Sequence, residues 1–287
     1  MIELFRALAV LAEPQTSKTS GLATALGLGP LPNANEYTEL FTFQLYPYAS
    51  VYLGAEGMLG GEARDRVAGF WRALGQTPPA EPDHLSVMLA TYARLIALEE
   101  GERDAMQRTS WRSARKAFLW EHLLSWLPAY LGKLLDIAPP FYCNWGELLT
   151  KSLLEEAETV GKQEELSRHL SEASGIVDPR DGKVGEFLQS LLTPVRSGMI
   201  LTRADLTAAA RKLRLGRRLG ERKFILESLF SQDAAGTLGW LTEEVSTWTR
   251  RHRLYREALG KIAIAWEKRA AAAAALLRKL EVAASTV

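Results

Sequence analysis

Apolar residues recur along this chain with the period of a helix. Leu85, Met88, Leu89, Tyr92, Leu95 and Ile96 follow an i, i+3, i+4, i+7 spacing, which makes one stripe on a helical surface. Leu119, Leu123, Trp126, Leu127, Tyr130, Leu131 and Leu134 repeat the pattern. Pro128 predicts a kink or a restart within it, because proline lacks the backbone donor and clashes with the preceding turn. Leu4, Leu8 and Leu11 predict a docked amphipathic helix; Glu3 and the absence of a basic segment argue against a secretory leader. Phe187, Leu188, Leu191 and Leu192 form a shorter stripe that ends at Thr193-Pro194. No stretch alternates apolar and polar residues, and no run is rich in Val, Ile and Thr as strands prefer. The expected fold class is all-α.

Glycine, proline and polar clusters divide these helices. "GLGPLPNANEY" (27–37) predicts a loop, with a helix starting at Asn35-Glu36. "GAEGMLGGEARD" (54–65) is glycine-rich, but it lacks the Gly-Lys-Ser/Thr ending of a phosphate loop and predicts a turn between helices. "LSEASGIVDPRDGKVG" (170–185) is the best linker candidate. The expected organisation is a helical domain over 1–165, a linker over 166–185 and a helical C-terminal extension over 186–287. Within the extension, six consecutive alanines from Ala270 predict a helix of little bulk, packed either very closely or only loosely.

Composition narrows the function classes. The 35 basic and 34 acidic side chains nearly cancel to a net charge of +1, so nothing draws the whole chain to nucleic acid or anionic lipid. A single cysteine, Cys143, excludes an internal disulfide and cysteine-cluster metal sites; it reads as a small buried residue in a reducing compartment. No apolar run reaches membrane-spanning length without a charge.

The chemistry gathers at "PPAEPDHLSVMLATY" (78–92). Glu81, Pro82, Asp83 and His84 precede the first apolar stripe. Proline and acid suit the first turn of a helix, where an amide hydrogen is spare and the dipole is positive. Asp83 and His84 diverge by about 100° on a helix, which argues against a shared metal ion. Acid–base catalysis would need a second convergent group that the sequence does not place. A third reading is an exposed helix start that binds a basic, apolar peptide between aromatic walls, for which Trp71, Tyr92, Trp120 and Trp126 are candidates. His122 lies between tryptophans on an apolar helix and reads as a hydrogen-bonded core residue. His169 and His252 sit among polar neighbours and read as solvated. The basic run from Arg211 to Lys223, with Thr202 as an N-cap, leaves a helix-turn-helix DNA regulator over 202–223 as an alternative, although Asp205, Glu221 and Glu227 flank it.

Three segments carry a family resemblance. "ELFTFQLYPYASVYLGAEGML", "EPDHLSVMLATYARL" and "WEHLLSWLPAYLGKL" occur in the order found in the TorD/DmsD/NarJ-like family of redox-enzyme maturation chaperones, over residues 36–160. The resemblance implies a multi-helix bundle that is not an enzyme and needs no cofactor of its own. It implies partners as well: the apo-form of a molybdopterin oxidoreductase catalytic subunit and its twin-arginine signal peptide, held in the cytoplasm until the cofactor is inserted. Nucleic acid and stable membrane insertion are not expected, and homodimerisation is left open. Carried over by motif, Glu81, Pro82, Asp83 and His84 would line the peptide site; Trp71, Tyr92, His122 and Trp126 follow by helix position alone. Residues 186–287 have no counterpart in a minimal member.

Overall fold

Each of the four apolar stripes closes into helix. The N-terminal stripe becomes Ile2–Leu11, burying Phe5, Leu8 and Leu11. The second becomes Leu85–Gly101, which buries Met88, Leu89, Tyr92, Leu95 and Ile96. The third is interrupted, as Pro128 predicts. Phe118–Leu123 is wound with the wide π pitch, shown by the Leu124 amide reaching the Leu119 carbonyl at 2.8 Å, and a new helix runs Leu127–Ile137 with Pro128 in its first turn. The fourth becomes Val184–Leu192. The computed structural model describes residues 1–163 and 165–284, and among these there is no strand. The fold is all-α.

The chain forms two compact units, one of residues 1–50 and 59–168, the other of 51–58 and 169–287. In the first, Ile2–Leu11 packs on Leu85–Gly101, with the Phe5 and Tyr92 rings meeting edge to face at 4.9 Å. The Trp145 indole donates to the Leu8 carbonyl at 3.1 Å and ties in the helix Pro140–Val160. That helix lies close against Leu127–Ile137, since a Cβ added at Gly146 would stand 2.8 Å from the Leu134 Cδ2.

The second unit is built on an antiparallel pair, Ala234–Leu254 and Lys261–Ala284. The alanine run packs closely. Ala270, Ala273 and Ala274 are buried, and Gly198 approaches so near that a Cβ there would lie 2.4 Å from the Ala270 nitrogen. Gly198 also has a φ of 74°, a left-handed conformation suited to glycine. Its carbonyl accepts from His252 Nε2 at 2.8 Å, and the imidazole lies between Trp248 and Trp266.

Several local expectations are corrected. Asn33, not Asn35, caps the helix Ala34–Tyr37, through a reciprocal pair of hydrogen bonds with Glu36. The glycine-rich stretch ends in helix, because Gly61–Ala73 begins inside it. Residues 170–185 hold the end of a short helix (Arg168–Glu172) and a tight turn over Pro179–Asp181. His169 and His252 are buried, not solvated, and Cys143 is only half-buried. Thr202 does cap a helix, Arg203–Lys212, through its capping box with Asp205. However, residues 213–221 separate it from Arg222–Gln232, whereas a helix-turn-helix uses a turn of about three to four residues.

Two outcomes follow from the Gly198 region. Gly198→Ala, which adds a methyl where backbone already stands, is expected to destabilise the protein on the order of 3 kcal/mol in chemical denaturation. His252 also makes stability pH-dependent. Burial, opposed by the Gly198 carbonyl, holds its pKa down to about 4 from the usual 6.5. The unfolded chain therefore takes up a proton between those values that the folded chain refuses. This contribution is full above about pH 6.5 and falls away toward pH 4, amounting to on the order of 3 kcal/mol. Denaturation midpoints across that range, compared with His252→Gln, check it.

Candidate functional site

The residues Glu81 to His84 do not form the first turn of the following helix. They make a turn ahead of it, and that turn is fastened to a segment more than thirty residues earlier. The Leu85 amide donates to the Pro47 carbonyl at 2.8 Å, and the Ala49 amide donates to the Asp83 carbonyl at 3.0 Å. Tyr48 and His84 thereby form the one β-bridge among the described residues. The Asp83 carboxylate accepts from the Ser50 amide at 3.2 Å, capping the first turn of the short helix Ala49–Leu53. The Ser50 hydroxyl in turn accepts from the Gly60 amide at 3.1 Å. Asp83 is 2% exposed, so its charge is spent inside the fold.

His84, 8% exposed, turns the other way. Its Nδ1 is 2.8 Å from the Ser86 hydroxyl and 3.4 Å from a carboxylate oxygen of Glu13. Ser86 donates to that same carboxylate, so Nδ1 must carry the proton and donate to Ser86. The His84 ring also meets Tyr48 edge to face, with centroids 4.8 Å apart.

Around this brace lies an open acidic and aromatic rim. The Glu13 side chain is 49% exposed, and Glu81 is exposed as well. Burial first, then the charge and hydrogen bond of Glu81 and the charges of Asp83 and Glu13, push the Tyr48 hydroxyl up to about 12, so it stays a neutral donor. Burial and the charge of Glu13 push Tyr37 up to about 12 too. Carboxylates from separate segments thus converge on Tyr48. Such a group suits a guanidinium or ammonium, which a carboxylate can pair with and an aromatic face can cover.

The other carried-over residues stand elsewhere. Tyr92 is in the core, two turns into its helix, donating to Glu156 at 2.5 Å. Glu156 and Glu99 both pair with the buried Arg115, and Arg115 Nε donates to Tyr92 at 3.3 Å. Burial opposes the Arg115 charge, but these partners outweigh it and hold the guanidinium firmly protonated. His122 is buried on the π-wound segment against Phe70 and Phe118. Trp126 is fully buried, its indole donating to the His122 carbonyl at 2.9 Å. Trp120 is buried as well, and Trp71 is partly exposed. Tyr92, Trp120 and Trp126 are therefore core packing and not walls of an open groove. Among the described residues, no group of His, Cys, Asp and Glu is placed to hold a metal ion, and no helix is long and apolar enough to cross a membrane.

Sequence reasoning named Glu81 to His84 but missed Glu13, Tyr37 and Tyr48. The segment "PYASVYL" was the available signal for Tyr48; nothing local distinguishes Glu13.

Comparison with known proteins finds one matched region, which contains Glu13, Tyr37, Tyr48 and Glu81 to Ser86. The family described as nitrate reductase delta subunit matches residues 11–131. Two proteins called Chaperone protein TorD, from Vibrio vulnificus strains CMCP6 and YJ016, are each 35% identical over 89 residues, covering 29% of this chain and 41% of theirs. A protein of the same name from Photobacterium profundum is 31% identical over 88 residues, with the same coverage. The chain thus spans about two fifths of the length of these curated relatives.

The brace itself is testable. Asp83→Ala leaves the buried Ser50 amide without its acceptor and is expected to cost on the order of 1–3 kcal/mol in urea denaturation. Asp83→Asn keeps an acceptor there and should recover most of the loss.

Proposed function

We propose that this chain, which over residues 11–131 belongs to the family of TorD- and NarJ-type chaperones, binds the precursor of a molybdopterin-dependent oxidoreductase at the arginines of its leader, through Glu13, Glu81 and Tyr48. The observation that carries the reading is the convergence of two exposed carboxylates on one tyrosine, above a buried aspartate and histidine. A leader with paired arginines ahead of an apolar stretch needs carboxylates beside aromatic surface. One guanidinium can be held by two carboxylate oxygens and stack on the Tyr48 ring, while Tyr37 offers apolar surface next to Glu13. Asp83 and His84 act here as positioning residues: Asp83 fixes the 47–50 segment that carries Tyr48, and His84 with Ser86 fixes Glu13.

Binding of this kind would hold the apoenzyme in the cytoplasm until its cofactor is in place and so delay export. No bond is made or broken by the chaperone, and no cofactor of its own takes part.

Affinity capture of the tagged full chain from its own cells is expected to enrich an oxidoreductase of this class with its leader uncleaved. In calorimetry with that leader as a peptide, Glu13→Gln and Glu81→Gln should each weaken binding by about tenfold, close to 1.4 kcal/mol, and rising salt should weaken it further. Asp83→Asn, provided it folds, should bind nearly as well as the parent. Unchanged affinity in both glutamate variants would move the site, and capture without any such oxidoreductase would remove the function.

A further inference from the structure

Charge is spread unevenly along this chain. Residues 211–223, RKLRLGRRLGERK, carry seven basic side chains and one acidic. That is a net +6 in a chain whose total is +1, so the remainder carries −5. Two of the seven serve the fold: Lys212 pairs with Glu243, and Arg222 donates to the Leu201 carbonyl at 2.8 Å. Arg211, Arg214, Arg217 and Arg218 are exposed and make no ion pair among the described residues.

The backbone that carries them is fixed. The helix Arg203–Lys212 ends in a tight return, in which the Arg214 amide donates to the Arg211 carbonyl at 3.2 Å and the Leu215 amide to the Ala210 carbonyl at 2.8 Å. The Gln232 side chain then clamps Gly216, accepting from its amide at 2.6 Å and donating to its carbonyl at 3.1 Å. A return of this kind favours glycine at the residue that turns back. Arg214 stands there instead, with a φ of 58°, the one non-glycine residue with a positive φ among the described residues. A guanidinium is thus kept where backbone conformation alone favours no side chain.

Apolar surface adjoins the cations. Leu219, between Arg218 and Gly220, is 92% exposed, nearly as bare as in an extended chain. The exposed Phe224 ring lies against Gly220, where an added Cβ would come within 3.3 Å of it. The Lys223 ammonium lies close to Gly185, beside the exposed Val184.

Each of these arginines is hydrated where it stands, and none needs a counter-charge to be stable. Together they provide a local positive potential, whose complement is a dense field of negative charge. Leu219 decides which field. A nucleic-acid backbone offers phosphates but no fluid apolar phase for a protruding leucine to enter, and a folded partner would need a socket shaped to it. An anionic bilayer supplies phosphates at its surface and acyl chains just below. We infer that residues 211–224 form a peripheral lipid-docking loop. Its four free arginines meet the phosphates of an anionic bilayer, while Leu219 and Phe224 enter the headgroup boundary. The loop belongs to the second unit and lies outside the matched region, so the inference stands apart from the leader-binding reading.

The test sediments the full-length protein with vesicles of about two parts phosphatidylcholine to one part phosphatidylglycerol, and with phosphatidylcholine alone. Saturable binding to the anionic vesicles only is expected, weakening as salt rises. Arg217→Gln/Arg218→Gln should weaken it about thirtyfold, at roughly fivefold per cation removed. Arg214→Gly separates charge from folding: it should keep or raise the denaturation midpoint while weakening binding about fivefold. Leu219→Ser should lower binding severalfold at low and high salt alike, because apolar burial is not screened. Binding to neither vesicle, equal binding to both, or affinity indifferent to the arginines would overturn the inference. So would arginine dependence without any effect of Leu219→Ser, or a DNA duplex that binds as tightly as the anionic vesicles; either marks a general polyanion site.

Discussion

The candidate site depends on a clamp between two segments far apart in sequence. Backbone hydrogen bonds join 47–49 to 83–85, and the Asp83 carboxylate takes the Ser50 amide. An all-helical protein has few ways to fix a non-helical segment, because its backbone groups lack the ladder of neighbours that a sheet supplies. Here a single bridge and one buried carboxylate do so. A buried charge is tolerable only when hydrogen-bonded, and Asp83 meets that condition with a backbone donor that a helix start leaves spare. With 47–50 held, Tyr48 is presented beside His84, and the rim forms around it.

That arrangement also explains which features could be read from the chain alone. The Leu85-to-Ile96 stripe was legible because burial on one helix face imposes a strict period on nearby residues, and the break at Pro128 because proline acts on its own turn. The partner of Asp83 was not legible. It is a backbone amide, which nearly every residue possesses, at a distance no periodicity spans. Glu13 was hidden for a similar reason: a lone acid after a helix gives no sign that it will meet Ser86. His252 was a different kind of miss. Its charged neighbours Arg250, Arg251 and Arg253 suggested solvent, yet Leu241, Val245, Trp248 and His252 lie at i, i+4, i+7 and i+11, the buried face of one helix. Periodicity should have outweighed local polarity there, since a helix buries a face and not a stretch.

The second unit adds to its buried tryptophans a device the first lacks along its long helices, a run of small residues. Around Trp126, Trp145 and Tyr92, large rings fill the space and find hydrogen-bond partners for their polar atoms. Along the alanine run the backbone itself comes close, and Gly198 with Ala270 sets the limit of approach. Six alanines could have meant a loosely attached helix. What makes them structural is the glycine opposite, together with the carbonyl that Gly198 gives to a buried histidine.

A division of labour follows for the tetrapeptide at the centre of the site. Asp83 and His84 are the residues most readily singled out by chemistry, and both are buried in the work of holding neighbouring segments. Glu13 and Glu81 are exposed, and each ties to the brace by its carboxylate alone, Glu13 to Ser86 and His84 and Glu81 to Tyr48. Residues with a buried structural role cannot change without a cost in stability, whereas exposed carboxylates can be repositioned or replaced at little cost. A scaffold built this way keeps one frame and adjusts its rim. Substitutions at the aspartate therefore report first on whether the frame stands, and the rim glutamates are the positions at which the proposed binding can be tested apart from it.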